Sequence, residues 1–299
     1  MEQDRPNFFA GPYLDRRAEA REDPEWLAAA RADPATLYLV GQGTTHLLYA
    51  EPPRIAFVPR DAPLVRAATQ SSVVLLGWFR GVRCLLIDLP PGQAVEAPAG
   101  MAFRELRPLA PLLSAEEAGL LAYARGMSIW RARQRHCGVC GAATLATRGG
   151  HILVCSNPAC AHEFFPRIDP AIIVLVSDGE RALLGRQADW PPRRYSTIAG
   201  FVEPGESLED AVVREVAEET GVAVSAVRYQ SSQPWPFPSS LMLGFQASAA
   251  AASEVTVSGG ELEDARWFTR AQVNSGEALA PPTQSISWRL IETWLKGRG

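Results

Sequence analysis

What this 299-residue sequence lacks narrows its class before any motif is read. No apolar run reaches the roughly 18 to 20 residues needed to cross a bilayer, although 47% of the residues are apolar. The opening, MEQDRPNFFAG, mixes both charges and lacks the basic-then-apolar order of a signal peptide. The closing LKGRG matches no retention or peroxisomal address. A cytoplasmic protein with no membrane partner is expected. A surplus of cations is missing too. The net charge of −4 argues against a large electrostatic grip on nucleic acid, which rests on Lys and Arg neutralising phosphates. A small phosphorylated ligand stays open, because one bound metal can recruit it. There are no internal repeats, and the alanine-rich ASAAAASE (247–254) is short enough to read as a strand end running into a loop.

Cysteine is scarce, and its placement matters more than its number. Cys84 stands alone in the apolar run CLLID, which suits a buried, inert thiol. The other four, Cys137, Cys140, Cys155 and Cys160, lie within 24 residues as Cys-x2-Cys and Cys-x4-Cys. That pattern resembles a zinc ribbon, in which two tight turns close a tetrahedral thiolate site. Gly138 and Gly141 suit the first turn, and Asn157-Pro158 the second. Reduced buried thiols, or disulfides in a secreted protein, are the alternatives, and the absent signal peptide disfavours the latter. His136 and His162 could replace a sulfur, but four cysteines already complete the site. No coordination position stays open, so structural Zn²⁺ is expected.

Punctuation by Pro and Gly organises the rest. From about residue 36 to 107, short apolar stretches (TLYLV, HLLYA, RIAFVP, SVVLLGWF, VRCLLIDL) alternate with turns such as GQG, EPP and PPG. They predict a mostly β domain. Ser114 and Glu117 form a capping-box pattern ahead of a helix reaching about residue 133. AIIVLV, Asp178-Gly179 and ALLGRQ predict a β-hairpin, and strand and helix signals alternate from there to the terminal helix around SWRLIETWL. The expected class is α+β or mixed α/β. Its divisions are a mostly β domain with a terminal helix (1–133), the ribbon (134–168) and an α/β domain (169–299).

The stretch GFVEPGESLEDAVVREVAEETGV (200–222) is the most acidic in the chain. Ser207 is a good N-cap with Asp210 at N3, and Gly221 suits a left-handed C′ position, so the helix should run from Leu208 to Thr220. At about 100° per residue, Glu215, Glu218 and Glu219 share one face. Such a face can be merely solvated, with like charges repelling by a few tenths of a kcal/mol per pair. It can also gather divalent cations, and oxygen ligands without His or Cys suit Mg²⁺ or Mn²⁺.

The surrounding residues resemble the Nudix box, GX5EX7REUXEEXGU with U apolar. Gly200, Glu206, Arg214, Glu215, Val216, Glu218, Glu219, Gly221 and Val222 fill every defined position. The resemblance implies a C-terminal α/β/α sandwich that hydrolyses nucleoside diphosphate linkages. It makes Glu215, Glu218 and Glu219 metal ligands or, for one of them, the base, and makes the Ala199 carbonyl a further ligand. Arg214 would orient a glutamate, and Glu206 would fix the loop against the helix.

A second stretch, SQPWPFPSS (232–240), is stiffened by three prolines and carries two aromatic faces. By composition alone it is a surface turn or a proline-rich ligand. It resembles the SQPWPFPxS motif of the NADH pyrophosphatase subfamily, which also carries a four-cysteine ribbon before its Nudix domain. That resemblance implies cleavage of NADH, and of NAD⁺ less well, to AMP and nicotinamide mononucleotide, with removal of NAD caps from RNA 5′ ends as a related activity. It places Gln233, Pro234, Trp235, Pro236, Phe237, Pro238, Ser239 and Ser240 against the dinucleotide, with Phe201 stacking on a ring. It makes Glu261 another metal ligand and Ser287 a substrate contact across a homodimer. Two departures stand out: Phe165-Pro166 replaces the Tyr-Pro of some bacterial members, which keeps stacking but removes a hydroxyl, and the second knuckle is longer than in some. Hydrolysis of ADP-ribose or another nucleoside diphosphate derivative, and a non-catalytic nucleotide sensor, are the competing readings.

Overall fold

The computed structural model describes residues 6–90, 92–251, 253–258 and 260–297. It divides into an N-terminal unit, Phe9–Ile168 with Trp235–Ser239, and a C-terminal unit of Met1–Phe8, Asp169–Pro234 and Ser240–Gly299. By this division the ribbon residues group with the N-terminal β region, and the tip of the proline-rich loop groups with them.

In the N-terminal unit the apolar stretches become strands. They are β1 (Leu14–Asp15), β2 (Leu37–Gln42), β3 (Thr45–Tyr49), β4 (Arg54–Ile55), β5 (Val73–Phe79), β6 (Val82–Leu89) and β7 (Met101–Glu105). Helix α1 (Pro24–Ala32) precedes β2, and α2 (Ala115–Arg133) follows β7. The strand order is β1-β5-β6-β2-β3-β4, with β7 also on β3. Strands β2 and β6 run parallel, Leu37 opposite Cys84, and parallel pairs are stable when both faces are covered. Tyr38, Val40, Leu75, Leu85 and Ile87 share a cluster with Trp26 and Leu27 of α1, while α2 packs across β2, β3 and β5. Ser114 caps α2 by accepting from the Glu117 amide. Cys84 is fully buried, and burial pushes its thiol far up, which keeps it inert. The ribbon is a small sheet of β8 (Thr144–Thr147), β9 (Ile152–Cys155) and β10 (Glu163–Phe164), ordered β10-β9-β8.

The C-terminal unit holds β11 (Asp169–Ser177), β12 (Arg181–Arg186), β13 (Ile198–Phe201), α3 (Leu208–Thr220), β14 (Val224–Trp235) and β15 (Ser240–Ala249). It continues with β16 (Asp264–Thr269), α4 (Arg270–Ser275) and α5 (Ile286–Leu295). AIIVLV lies in β11, the strand that reads as an unbroken apolar run because both of its faces are covered. Ile172, Val174 and Val176 pack against Ala211, Val212 and Val216 of α3. Ile173 and Leu175 pack against Ile286, Leu290, Ile291 and Trp294 of α5. The result is an α/β/α sandwich, and each such fully buried aliphatic side chain contributes roughly 1.5–3 kcal/mol of transfer free energy. The hairpin forms as expected, with Val176 opposite Leu183. β15 ends at Ala249, and Ala252 of the alanine-rich piece lies outside the described residues.

The two sheets share an arrangement that no sequence repeat announces. The path β5-β6-β2-β3-β7 in one matches β14-β15-β11-β12-β16 in the other. Each has one parallel pair at its middle, β6 with β2 and β15 with β11, and a helix on each follows the last strand. A sheet constrains burial and register and leaves residue identity loose, so architecture repeats where sequence does not. Where the other unit carries α3, the described residues of the N-terminal unit form the short Pro63–Arg66 helix and a 3-10 turn at Gln70–Ser72. Among the described residues, no helix is long and apolar enough to cross a membrane.

Candidate active site

Strand β13, a loop and α3 build the acidic site. Gly200 in β13 pairs with Ile172, and a Cβ there would overlap the Glu215 carboxyl group. The absent side chain is therefore what lets Glu215 lie against the strand. Gly205 takes a left-handed φ of 93° in the loop, a conformation that costs glycine little. Ser207 and Asp210 then cap α3 reciprocally: the Asp210 amide donates to Ser207 Oγ at 3.1 Å and the Ser207 amide to Asp210 Oδ2 at 3.3 Å. Gly221 closes the helix at φ 69°.

Arg214 ties this frame together. Its Nε and Nη2 donate to the two Glu206 oxygens at 2.5 and 2.9 Å, and Nη2 also reaches the Phe201 carbonyl at 2.9 Å. Nη1 lies 3.0 Å from Glu215 Oε1 and 3.0 Å from Glu218 Oε2. That fork, helped by the Glu203 amide, holds the Glu206 carboxyl down to about 2. Arg214 and Glu206 thus act as an internal brace.

Glu215 and Glu219 are buried, whereas Glu218 is exposed. Burial raises the Glu215 carboxyl, with Arg214 opposing. Glu219 is pushed up to about 8, first by burial and then by the charges of Glu215 and Glu261. Its Oε2 has no hydrogen-bond partner among the described residues. Glu261, in the turn before β16, is exposed and close enough to act on Glu219. A buried carboxylate with an orphaned oxygen and two carboxylate neighbours lacks positive charge. Oxygen-only donors fit Mg²⁺ or Mn²⁺. Ala199, paired with Ile173, directly precedes the glycine on which Glu215 rests. Phe201 ends β13 with its ring 60% exposed, available for stacking.

The four cysteine sulfurs all lie within 4.8 Å of one another. Turns of the expected kind present them, the Gly141 amide donating to the Cys137 carbonyl at 2.9 Å and the Cys160 amide to the Asn157 carbonyl at 2.9 Å. The Ala159 amide closes an Asx turn onto Asn157 Oδ1 at 3.0 Å. This donor set fits tetrahedral Zn²⁺.

The proline-rich stretch is partly packed into the fold. Gln233 is fully buried and its side-chain amide is held at both ends: Nε2 donates to the Phe8 and Gln284 carbonyls at 3.0 and 2.7 Å, and Oε1 accepts from the Ile286 amide at 2.8 Å. It braces the start of α5. Pro236 is also buried, its carbonyl taking Arg125 Nε at 2.8 Å. Pro234, Trp235, Phe237, Ser239 and Ser240 are half-buried and Pro238 is exposed. Ser287 is buried as well. Its hydroxyl is 3% exposed and bonds Ser196 Oγ at 2.8 Å, the Thr197 amide at 3.1 Å and Thr197 Oγ1 at 2.9 Å. It anchors the approach to β13 from inside the sandwich. Phe165, after β10 in the N-terminal unit, is 61% exposed.

Some supporting residues carried no sequence signal. Asn7 Nδ2 holds Ser231 Oγ and the Ser232 carbonyl at 3.0 and 2.7 Å, and the Phe9 ring meets Trp235 and Phe237 edge-on at 6.3 and 6.0 Å. These contacts join residues more than 220 positions apart, beyond the reach of any local pattern.

Comparison with known proteins agrees with this geometry along the chain. Residues 35–130 match the model of an NADH pyrophosphatase-like rudimentary NUDIX domain, 132–165 an NADH pyrophosphatase zinc ribbon domain, and 167–292 a NUDIX domain. The first of these accords with the repeated sheet. The NAD-capped RNA hydrolases of Macaca fascicularis and Homo sapiens are 35% and 34% identical, each over 97% of this chain and 73% of the relative. That of Mycobacterium bovis is 44% identical over 64% of each chain. The chain belongs to the Nudix hydrolases, within the zinc-ribbon-bearing NADH pyrophosphatase group.

Proposed function

We propose that this protein hydrolyses the diphosphate linkage of NADH and NAD⁺ to AMP and the corresponding nicotinamide mononucleotide, and removes NAD caps from RNA 5′ ends. One observation carries the reading: Glu215 and Glu219 are buried beside Glu218 and Glu261, with an orphaned oxygen on Glu219. Mg²⁺ or Mn²⁺ held by Glu215, Glu218, Glu219, Glu261 and the Ala199 carbonyl would neutralise the diphosphate and lower the pKa of a bound water. Arg214 fixes the directions of Glu206, Glu215 and Glu218, which keeps the carboxylates aligned while substrate enters. The base is one of the three box glutamates. The exposed Phe201 ring offers a stacking face for one ring of the dinucleotide. The names of the relatives favour a dinucleotide substrate and its RNA-linked form.

By the same reading the protein acts as a homodimer in the cytoplasm. The first part follows from the family resemblance. Light scattering in solution checks it. The activity is tested by AMP release from NADH, NAD⁺, ADP-ribose and NAD-capped RNA, with and without Mg²⁺. Metal-dependent turnover of the NAD substrates is expected, together with its near-complete loss in a folded Glu219→Gln variant. Binding of NADH without hydrolysis would overturn the reading.

A further inference from the structure

The low net charge hides a local concentration of arginine. Within the N-terminal unit, a cavity of about 620 Å³ opens under the tip of the proline-rich loop, lined by Thr44, Glu105, Arg107, Arg125, Arg133 and Phe237 among others. Its volume suits a nucleotide-sized ligand. Three guanidiniums face one carboxylate.

Their environments differ in a telling way. Arg125 is 7% exposed and is used structurally, bonding the Thr44 and Pro236 carbonyls and Glu105 Oε2 at 3.1 Å. A guanidinium so desolvated, with a single half-exposed acid beside it, leaves a positive field in the cavity. Arg107 has no carboxylate partner among the described residues; its guanidinium lies over the Phe237 ring at 4.6 Å. Arg133, in the last turn of α2, also has none. Two free planar donors at the mouth of a positive cavity form a phosphate-recognition geometry. Pro238 of the loop tip lines it too.

We infer that this cavity binds the phosphodiester backbone of single-stranded RNA, with Arg107 and Arg133 as the contacting cations and Arg125 as the buried support. The inference rests on the proposed decapping activity.

Two measurements separate failure of the inference from failure of that activity. The first is anisotropy of a 5′-hydroxyl, fluorescein-labelled oligoadenylate of ten nucleotides, in EDTA, which needs no catalysis. Arg133→Glu and Arg107→Ala are each expected to weaken binding about tenfold and to reduce the salt slope by about 0.7. The second is kcat/KM on NADH and on an NAD-capped RNA of ten nucleotides, with Mg²⁺. Both variants should lose about tenfold on the capped RNA and stay within twofold of wild type on NADH. Unchanged oligoadenylate binding would overturn the inference even where both substrates turn over. So would equal losses on NADH and capped RNA, because the arginines would then serve the dinucleotide itself. Displacement of the oligoadenylate by millimolar AMP or inorganic phosphate alone would also overturn it, assigning the cavity to a free anion. Absence of NADH turnover in the wild type would instead defeat the underlying activity, leaving the anisotropy result to judge the cavity.

Discussion

Gly200→Ala separates stability from chemistry at the acidic site. A Cβ at this position would lie inside 3.0 Å of the Glu215 carboxyl carbon and both of its oxygens, whereas ordinary contact begins near 3.4 Å. Strand β13 is held in place by its ladder to β11, so the flexible end of Glu215 must yield, by about 1 Å or more. Because only a side-chain tip moves, the stability cost should sit at the low end of overpacking, about 1 kcal/mol. Displacing a positioned group by about 1 Å can nevertheless cost about 10²-fold in rate. The expected variant melts within a few degrees of wild type and loses about a hundredfold in metal-dependent AMP release from NADH. Glu215→Asp in the same background shortens the side chain and removes the overlap, so the double variant should be no worse than Glu215→Asp alone. Turnover of Gly200→Ala within threefold of wild type would show that the resting place of Glu215 does not matter.

Other substitutions follow from the same contacts. Gln233→Ala strands the Ile286 amide and two carbonyls; it should destabilise the C-terminal unit by about 2–4 kcal/mol with KM for NADH unchanged, and a raised KM with an unchanged melt would return Gln233 to the substrate. Burial holds His46 down to about 3, and burial first among its causes holds His151 down to about 4. Folded-state values below the ordinary 6.5 mean stability is full above about pH 6.5 and falls as the unfolded chain protonates first. The loss should approach about 1.4 kcal/mol per pH unit for each ring. Urea melts between pH 7 and 4 should show a shallower slope in His46→Phe, and an unaltered slope would exclude that ring as the cause. Zinc removal should expose the four ribbon thiols to a thiol reagent, with Cys84 reacting only on global unfolding; early reaction of Cys84 would contradict its burial.

The acidic helix was legible to its ends because its signals are local. Ser207 and Asp210 start it and Gly221 stops it, all within one turn of the boundaries they set. The cysteine turns were legible for the same reason. The packing roles of Gln233 and Ser287 were not legible because their partners come from remote parts of the chain: Phe8 and Gln284 for one, Ser196 and Thr197 for the other. A motif fixes which residues recur together and does not say which of them faces the ligand and which faces the core. The repeated sheet was invisible too, since alternation and burial can be met by unrelated apolar residues.

Arg214 gives the acidic helix a counter-ion of its own, shared among Glu206, Glu215 and Glu218. Among the described residues the ribbon has no equivalent for its four sulfurs. The two kinds of metal therefore enter the life of the protein at different moments. Zinc is taken up once, as part of folding, and its loss takes the ribbon with it. Magnesium or manganese can leave and return while the helix stays assembled. Activity should then follow the free divalent concentration reversibly, and a chelated enzyme is a stored enzyme, restored by adding the ion back with no refolding step.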